Sequence, residues 1–358
     1  MKNSLVLHIG MGKTGTTALQ NFFWNNRKPL AKNGISYPKY GAVSGAHHLF
    51  SPHIPEVLQG IWEFLPAEIW APKLAKAGAK KTLLSSELMA WADDRLVREF
   101  CTSLGKWFDL TVVIYLRRQD NIIMASYMQN VKMGKQKRRI IDIYQNMLPK
   151  FNYESILRPW EESVGVRNII VRPYESQQFY SQDIRRDFMH HVFGLDVSRK
   201  YTLDNNNPNP RLSRTAGEYK RLINNVVEDQ DKRQKLTVLL KQFSEEIGHD
   251  LDSSCKNHAL LPPDIRLRII EDNDEINSTI AEKYLGKNDG VLFQDQLPDS
   301  SMDWPGNELS QDEAAVVSGY LQRKDLQLTQ WFSQELEKSF DVNIKPQKYA
   351  AQFLAATL

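Results

Sequence analysis

A cluster of glycines and threonines with one lysine lies near the start of the chain. The segment HIGMGKTGTT runs from His8 to Thr17 and joins a short apolar run to a pattern of helical spacing. Glycines let backbone amides approach phosphate oxygens, a helix N-terminus adds partial positive charge, and Lys13 adds a full charge. Ordinary glycine turns also join strands to helices, but this composition indicates a site for a nucleotide or a similar anion.

The segment does not fit the common nucleotide-binding pattern GxxxxGK[ST]. Ending that pattern at Lys13 and Thr14 requires a glycine where Leu7 stands. A later strand, TVVIYLRR, ends in Arg117 and Arg118 instead of the aspartate that helps such proteins to hold magnesium. We therefore expect phosphate binding without a metal ion.

Two polar residues lie at and beyond the end of this strand. Arg118 ends the strand, and Ser126 follows eight residues later on a helix predicted across residues 119–133. Eight helical residues span roughly 12 Å, and a long arginine side chain can reach back over that distance. A surface ion pair for Arg118 and a packing role for Ser126 are the alternative interpretations.

Acid–base chemistry has three candidate residues. Glu87 directly follows a strand predicted at residues 82–86, at the carboxyl edge where open α/β sheets bind ligands. His47 and His48 lie in the loop SGAHHLF and are rival bases, although such histidines often contact only solvent or backbone carbonyls. His8 lies at the first predicted strand and is expected in the core.

The elements that must position these residues alternate between strand and helix. Apolar runs predict four buried strands, the last of them central in the sheet, at residues 4–9, 82–86, 110–116 and 168–171. This alternation predicts an α/β fold with a parallel, doubly wound sheet flanked by helices. Beyond Asp183 only helical periodicity remains, at residues 184–193, 213–247, 264–285 and 310–339.

A stretch rich in asparagine and proline, LDNNNPNPRLS, separates the two halves at residues 203–213. We expect an α/β core in residues 1–202 and a mostly helical region, packed on that core, in residues 203–358. The loop at residues 203–214 is either a boundary between the two or a segment that faces a ligand.

Composition narrows the functional class. The 358 residues are 41% hydrophobic and 25% charged, an ordinary globular balance, and a net charge of +3 gives no support to nucleic-acid binding. Cys101 and Cys255 lack the spacing of a disulfide framework or a zinc site. No apolar run is long enough for a membrane span and no secretory leader is recognised, so we expect a cytoplasmic protein without a transmembrane segment.

One dense basic run, KMGKQKRR, occupies residues 132–139. Clustered cations raise the local concentration of anions, so the run favours binding of an acidic molecule such as a polysaccharide or a glycolipid head group. A solvated loop is the alternative interpretation.

These motifs together resemble the PAPS-dependent sulfotransferases, where PAPS is 3′-phosphoadenosine 5′-phosphosulfate. The first loop of that family reads K-[ST]-G-T-T, as Lys13 to Thr17 do, and its second element is an arginine with a serine eight residues later. VRPYES at residues 171–176 is similar to a strand-to-turn segment of the family. NPNPRLS at residues 207–213 looks like the second nucleotide loop of its bacterial carbohydrate-sulfotransferase branch.

The resemblance implies a P-loop-type sheet and in-line transfer of a sulfuryl group from PAPS to a hydroxyl or an amine, without a metal. The product of the donor is adenosine 3′,5′-bisphosphate (PAP). The acceptor is expected to be a small molecule or a glycan, with a carbohydrate or a glycolipid favoured. Its identity is left open, and so is whether the protein forms a homo-oligomer.

The family pattern also implies roles for single residues. Charge grows on the leaving phosphate, so Lys13 is expected to stabilise the transition state together with the loop amides. Arg118 and Ser126 are expected to hold the 3′-phosphate. The base is expected to be Glu87, as in the glycan-modifying branch, with His47 or His48 as the alternative, since the small-molecule branch uses a histidine. The other expected nucleotide contacts are Gly12, Thr14, Gly15, Thr16, Thr17, Tyr174 and Arg211.

Two other functions remain as alternatives. A P-loop kinase or nucleotide hydrolase has the same sheet, but the missing glycine and the missing aspartate count against it. A nucleotide- or polyanion-binding module without catalysis is disfavoured by the modest charge and by the lack of recognition motifs.

Overall fold

The computed structural model of the protein describes residues 2–203, 211–253, 260–301, 304, 306, 308–339 and 345–357. In the predicted loop at residues 203–214, residues 204–210 lie outside this set, and so does Cys255. Within the described ranges, no helix has both the length and the apolar character needed to cross a membrane.

Five parallel strands form one sheet. They are β1 (Asn3–His8), β2 (Ile35–Ser36), β3 (Lys81–Ser85), β4 (Phe108–Leu116) and β5 (Ile169–Pro173). Their order across the sheet is β2-β3-β1-β4-β5, so β1 lies between β3 and β4. Because all strands run in the same direction, their carboxyl ends meet at one edge, where His8 lies opposite Ser85.

The apolar runs that predicted strands are buried in the sheet. The last four residues of β1 and the last five residues of β4 are buried, as expected for central strands covered on both faces. The expected α/β sheet and its flanking helices are therefore confirmed. The fourth predicted strand, β5, is an edge strand instead of a central one. It pairs only with β4, and its residues alternate between buried and half-buried.

Helices connect the strands and flank the sheet. Through Phe193 they are α1 (Thr16–Asn25), α2 (Arg27–Lys32), α3 (Ala67–Lys76), α4 (Asp94–Gly105), α5 (Gln119–Lys132), α6 (Tyr144–Met147), α7 (Tyr153–Val164) and α8 (Ile184–Phe193). α4 packs on α7 and β4, and α1 packs on α8. Asp93 begins α4 as its N-cap, accepting a hydrogen bond from the Leu96 amide at 2.8 Å.

The rest of the described chain is helical, as predicted. Its helices are α9 (Arg214–Val226), α10 (Gln230–Phe243), α11 (His249–Ser253), α12 (Pro263–Glu271), α13 (Asp274–Leu285), α14 (Gln311–Lys324), α15 (Leu326–Lys338) and α16 (Lys345–Ala355). The single helical span predicted at residues 213–247 contains two helices. The backbone becomes extended at Val227, and α10 begins after the N-cap Asp229.

The chain divides into two compact units, each made of separate segments. The sheet unit consists of Met1–Ile122, Lys150–Asn205 and Ile270–Gln296. The helical unit consists of Ile123–Pro149, Asn206–Ile269 and Leu297–Leu358. The expected boundary after residue 202 stays a prediction, and each of the two units contains segments from both sides of that position. The sequence shows where strand patterns stop along the chain. It does not show which distant segments pack together into one compact unit.

The helical unit has a core of its own. α9, α10, α14, α15 and α16 contribute to one buried apolar cluster, which includes Tyr219, Phe243 and Phe332. Ser213 begins α9 and Ser310 begins α14, each accepting a backbone hydrogen bond as an N-cap.

Candidate phosphate-binding site

The loop between β1 and α1 leaves the start of α1 without a side-chain cap. The N-cap residue is Gly15, which has left-handed backbone with φ of 75°, and no side chain accepts a hydrogen bond there. The first turn of α1 also carries no acidic residue. Amides at a helix start need acceptors, and their partial positive charge attracts anions. The start of α1 therefore suits an anionic ligand.

Close contacts determine the path of this loop. A Cβ at Gly10 would lie 2.8 Å from Thr16 Cγ2, and a Cβ at Gly15 would lie 2.6 Å from Ile184 Cδ1 and 2.8 Å from Tyr174 Cε2. Lys13 has φ of 73°, which costs free energy in a residue other than glycine. Such backbone strain is typical of ligand-binding loops.

The residues expected to contact a nucleotide differ in their exposure within the loop. Space is open beside Gly12, while Thr14 and Thr16 are buried and Thr17 is exposed. The Thr14 hydroxyl donates to the Met11 carbonyl at 2.7 Å, so this side chain stabilises the turn of the loop. Gly12, Lys13 and the amides at the start of α1 remain the groups best placed for a ligand.

A second cation lies beside this loop. Arg117 Nη1 donates to the Lys13 carbonyl at 3.3 Å, and the guanidinium carbon lies 5.7 Å from the centre of the Tyr174 ring. Tyr174, an expected nucleotide contact, packs against Gly15. The sequence motifs predict no ligand contact for Arg117. The side chains of neighbouring residues in a strand project to opposite faces of the sheet. Of Arg117 and Arg118 at the end of β4, only one is therefore expected to face the loop.

Arg118 is held by groups of the protein. It is 3% exposed and forms a two-pronged ion pair with Asp120, at 2.8 and 3.2 Å. Its Nη1 donates to the carbonyls of Asp295 at 2.7 Å and Gln296 at 3.3 Å. The expected alternative was an ion pair at the surface, and the pair is buried instead. The expected contact of Arg118 with a 3′-phosphate stays a prediction.

Two other expected contacts belong to the helical unit. Ser126 is half-buried on α5, whose first four residues belong to the sheet unit and whose remainder belongs to the helical unit. Arg211 is exposed and stands two residues before the N-cap Ser213. The surroundings of Ser126 and Arg211 do not identify a ligand for either residue, so their expected contacts with the nucleotide stay predictions.

Glu87 lies next to the loop, as its position in the sequence predicts. Its Cα would be 3.6 Å from a Cβ placed at Gly10. Its Oε2 accepts a hydrogen bond from Gln20 Nε2 at 2.7 Å. Gln20 had not been singled out in the sequence, although a glutamine among the buried residues Leu19 and Phe23 of α1 was a sign of a polar partner.

The histidines near Glu87 have different surroundings. His48 Nδ1 lies 2.9 Å from Ser86 Oγ, and its ring stacks on Trp62. Burial lowers the pKa of His48, and the charge of Glu87 opposes that shift. His48 is therefore mainly neutral at pH 7 and lies beside the candidate base.

His47 and His8 are buried by the surrounding protein. His47 Nε2 donates to the Pro38 carbonyl at 2.8 Å and its Nδ1 accepts from the Ser85 amide at 3.2 Å, so both ring nitrogens are used. Burial lowers the pKa of His47 to about 4 and that of His8 to about 3. His8 is fully buried, as predicted, and the bonding of His47 indicates a structural role.

The basic run at residues 132–139 belongs to the helical unit. Arg139 pairs with Asp142 and Glu308, while Lys135 and Lys137 are exposed. The attraction of an acidic acceptor by this run stays a prediction.

In the part of the chain that the structure describes, no group of three or more His, Cys, Asp or Glu side chains is arranged to hold a metal ion.

Comparison with known proteins adds little to this chemistry. No protein-family model matches the chain. The chain is 28% identical over 191 residues to an uncharacterized protein of the archaeon Archaeoglobus fulgidus. This match covers 52% of the chain and 49% of the archaeal protein, so the chain spans about half the length of that relative.

Proposed function

We propose that this protein is a PAPS-dependent sulfotransferase of the bacterial carbohydrate-sulfotransferase type. The observation that carries the proposal is the loop from Gly10 to Gly15, which contains Lys13, passes beside Glu87 at Gly10 and leads into the uncapped amides of α1. Sulfuryl transfer to a hydroxyl needs positive charge near the leaving phosphate and a base for the hydroxyl proton. The cationic loop and the nearby carboxylate are groups of these two kinds. The acceptor in this proposal is a hydroxyl or an amine of a carbohydrate or a glycolipid.

The order of the strands supports a P-loop-type, doubly wound sheet. β1 lies at the centre, β3 is on one side and β4 on the other, so the chain changes direction across the sheet at β1. Ligands of open α/β sheets bind outside the carboxyl ends of the strands at such a point. The loop that follows β1 has this position.

Each group in the proposed site has a separate task. Lys13 and the first amides of α1 stabilise negative charge that grows on the leaving phosphate of PAPS. Glu87 accepts the proton of the attacking hydroxyl, and His48 helps to orient the acceptor. Gly12 leaves room for the donor, and Tyr174 packs along the loop. Arg118, Ser126 and Arg211 are proposed to hold the remaining parts of the nucleotide.

A P-loop kinase remains the second candidate. β4 is followed by Arg117 and Arg118 where such enzymes carry a magnesium-binding aspartate, which disfavours this alternative. The two proposals differ in the nucleotide that they require and in their need for a metal.

Titration of nucleotides into the native protein in EDTA, followed by calorimetry, separates the two. The sulfotransferase should bind PAP tightly without a metal and should bind ATP far more weakly. Tight ATP binding that needs magnesium, with little affinity for PAP, would support the kinase and reject the present proposal. Screening of carbohydrate acceptors with radiolabelled PAPS then identifies the substrate.

Replacement of Lys13 tests the loop itself. Lys13→Ala should abolish sulfuryl transfer and leave the melting temperature near that of the native protein, because a half-buried loop residue leaves no core cavity. Native turnover in a folded Lys13→Ala protein would remove Lys13 from the mechanism.

A further inference from the structure

Gln20 connects the phosphate loop to the candidate base. It lies one turn into α1, four residues after Thr16, and is only 5% exposed. Its Nε2 donates to Glu87 Oε2 at 2.7 Å and to Ser85 Oγ at 3.3 Å. An amide nitrogen carries two hydrogens, so both of its donors are used at the carboxyl edge of the sheet.

The partners of Gln20 are themselves fixed. Ser85 Oγ lies 2.8 Å from His8 Nδ1, and these two residues are opposite each other at the ends of β3 and β1. Ser85 and His8 are both fully buried. The Gln20 amide is therefore bound to the end of β3, which Ser85 in turn joins to His8 at the end of β1, and it cannot turn without losing a buried hydrogen bond.

This arrangement orients the carboxylate of Glu87. A hydrogen bond to a charged oxygen is short and strong, and here it engages Oε2 alone. Among the described residues, Glu87 Oε1 has no hydrogen-bond partner, so it is the oxygen left to accept a proton. The same helix that presents its N-terminus to the phosphate thus also sets the direction of the base.

We propose that Gln20 is the positioning residue of Glu87, fixing the carboxylate relative to the group bound at the start of α1. This inference rests on the proposed sulfotransferase function, because it gives Glu87 the role of base. Gln20 does not touch the acceptor or the donor. It acts through Glu87, so its loss should lower kcat without weakening the binding of the nucleotide.

Asn26, the C-cap residue of α1, provides a matched control. It is a buried amide at the other end of α1, and its hydrogen bonds go only to backbone groups of Phe22 and Thr202. A buried amide with a structural role alone should affect stability but not the chemistry. Asn26→Leu therefore shows what loss of buried amide hydrogen bonds does by itself.

The experiment measures kcat, acceptor KM, PAP affinity and melting temperature for Gln20→Met and Asn26→Leu. Methionine keeps the length and the helix propensity of glutamine but donates no hydrogen bond. Gln20→Met should lower kcat by about ten- to a hundredfold, the range expected for one hydrogen bond to a charged group, with PAP affinity unchanged. The acceptor KM should stay near its native value, so that the loss appears in kcat. Asn26→Leu should lower the melting temperature and leave kcat unchanged.

Gln20→Asn serves as the second variant if the methionine protein does not fold. It keeps an amide in α1 but is one methylene shorter, so the contact with Glu87 is lost, and kcat should again fall. Native kcat in either folded Gln20 variant, together with low turnover in Glu87→Gln, would overturn the inference and keep the proposed function. A native protein that transfers no sulfuryl group to any acceptor, or fails to bind PAP, would overturn both.

Discussion

Burial distinguishes the functions of the ionisable side chains around the loop. His8 and His47 are fully buried, their pKa values are lowered to about 3 and about 4, and neither can take up a proton near pH 7. Glu87 is half-buried next to Gly10, and His48 is bonded only through Ser86 Oγ. In the proposed transfer reaction, the candidates for the base are therefore Glu87 and His48.

Glu87→Gln should lower kcat by about 10² to 10⁴, the usual contribution of a positioned general base. The substitution keeps the shape of the side chain and its ability to accept from Gln20, but it removes the basic oxygen. PAP affinity should change little, because the loop amides and Lys13 are intact. Steady-state kinetics with PAPS and calorimetry with PAP give the two quantities.

His48→Ala is the matched comparison for this substitution. The histidine stacks on Trp62 beside the base, so its loss should mainly raise the acceptor KM. Abolished turnover in His48→Ala with normal turnover in Glu87→Gln would reverse the two roles. If Glu87→Gln loses PAP binding or fails to fold, Glu87 is a structural partner of Gln20 and the base is another group.

Part of the site follows directly from residue types. Lys13 among glycines predicts a cationic loop, and Glu87 immediately after an apolar strand predicts a carboxylate at the sheet edge. Gln20 could not be assigned in the same way, because an amide on a buried helix face can bond backbone, water or a side chain. Which of Arg117 and Arg118 faces the loop also depends on the direction of the strand end, which the sequence alone does not give.

At the scale of elements, the junction of β4 and α5 depends on a buried ion pair. Arg118 is 4% exposed at its side chain and Asp120 is 0% exposed, and Arg118 also joins this junction to the backbone at Asp295. Removing one member of a buried pair leaves a charge without its partner in a poorly solvated place. The pair is therefore expected to support the edge of the sheet as well as any ligand.

Arg118→Ala should lower the free energy of unfolding by about 3–5 kcal/mol, the usual cost of breaking a buried pair. Arg98→Ala is the control, because its pair with Glu162 is about half exposed and such pairs contribute about 1 kcal/mol or less. Urea unfolding of both variants measures the difference. Equal stability losses in the two proteins would show that burial of the Arg118 pair has no special importance.

The same variant tests the predicted contact with the 3′-phosphate. At a temperature where Arg118→Ala remains folded, its affinity for PAP should fall about ten- to a hundredfold more than its affinity for adenosine 5′-phosphosulfate, which lacks that phosphate. Equal losses for the two nucleotides would leave Arg118 with only its structural role.

The elements predicted best are those with the most uniform surroundings. β1 and β4 are covered on both faces, so their apolar runs end within two residues of the observed strands. β5 was placed at the centre because its sequence is also apolar, although its alternating burial belongs to an edge strand. α16 has no separate prediction within the mostly helical region expected at residues 203–358, since its buried face is defined by packing on α9 and α15, which its own sequence does not show.

At the scale of the whole molecule, the two units derive from interleaved segments of the chain. Strand and helix signals along the sequence give an order of elements, but not which segments pack together. The sheet unit recruits α13 onto β5, and the helical unit recruits residues 123–149. No periodicity in those segments indicates a partner about a hundred residues away.

The helical unit should become more stable as the pH rises from about 7 to 9. Lys220 on α9 is fully buried, its ammonium contacts Asn224 Oδ1 at 2.5 Å, and burial with the nearby charge of Arg233 lowers its pKa to about 7. In the unfolded chain the same group has an ordinary pKa of 10.5. Between these values the unfolded chain binds more protons than the folded one, so folding is favoured by up to about 1.4 kcal/mol for each unit of pH.

Urea unfolding followed by far-ultraviolet circular dichroism at pH 7, 8 and 9 measures this slope. Lys220→Met should abolish it and should raise stability most at pH 7, because the folded protein no longer needs to release a proton. Lys235→Met, at an exposed position on α10, should keep the native slope. A slope that persists in Lys220→Met, or its absence from the native protein, would show that Lys220 is not the buried titrating group of the helical unit.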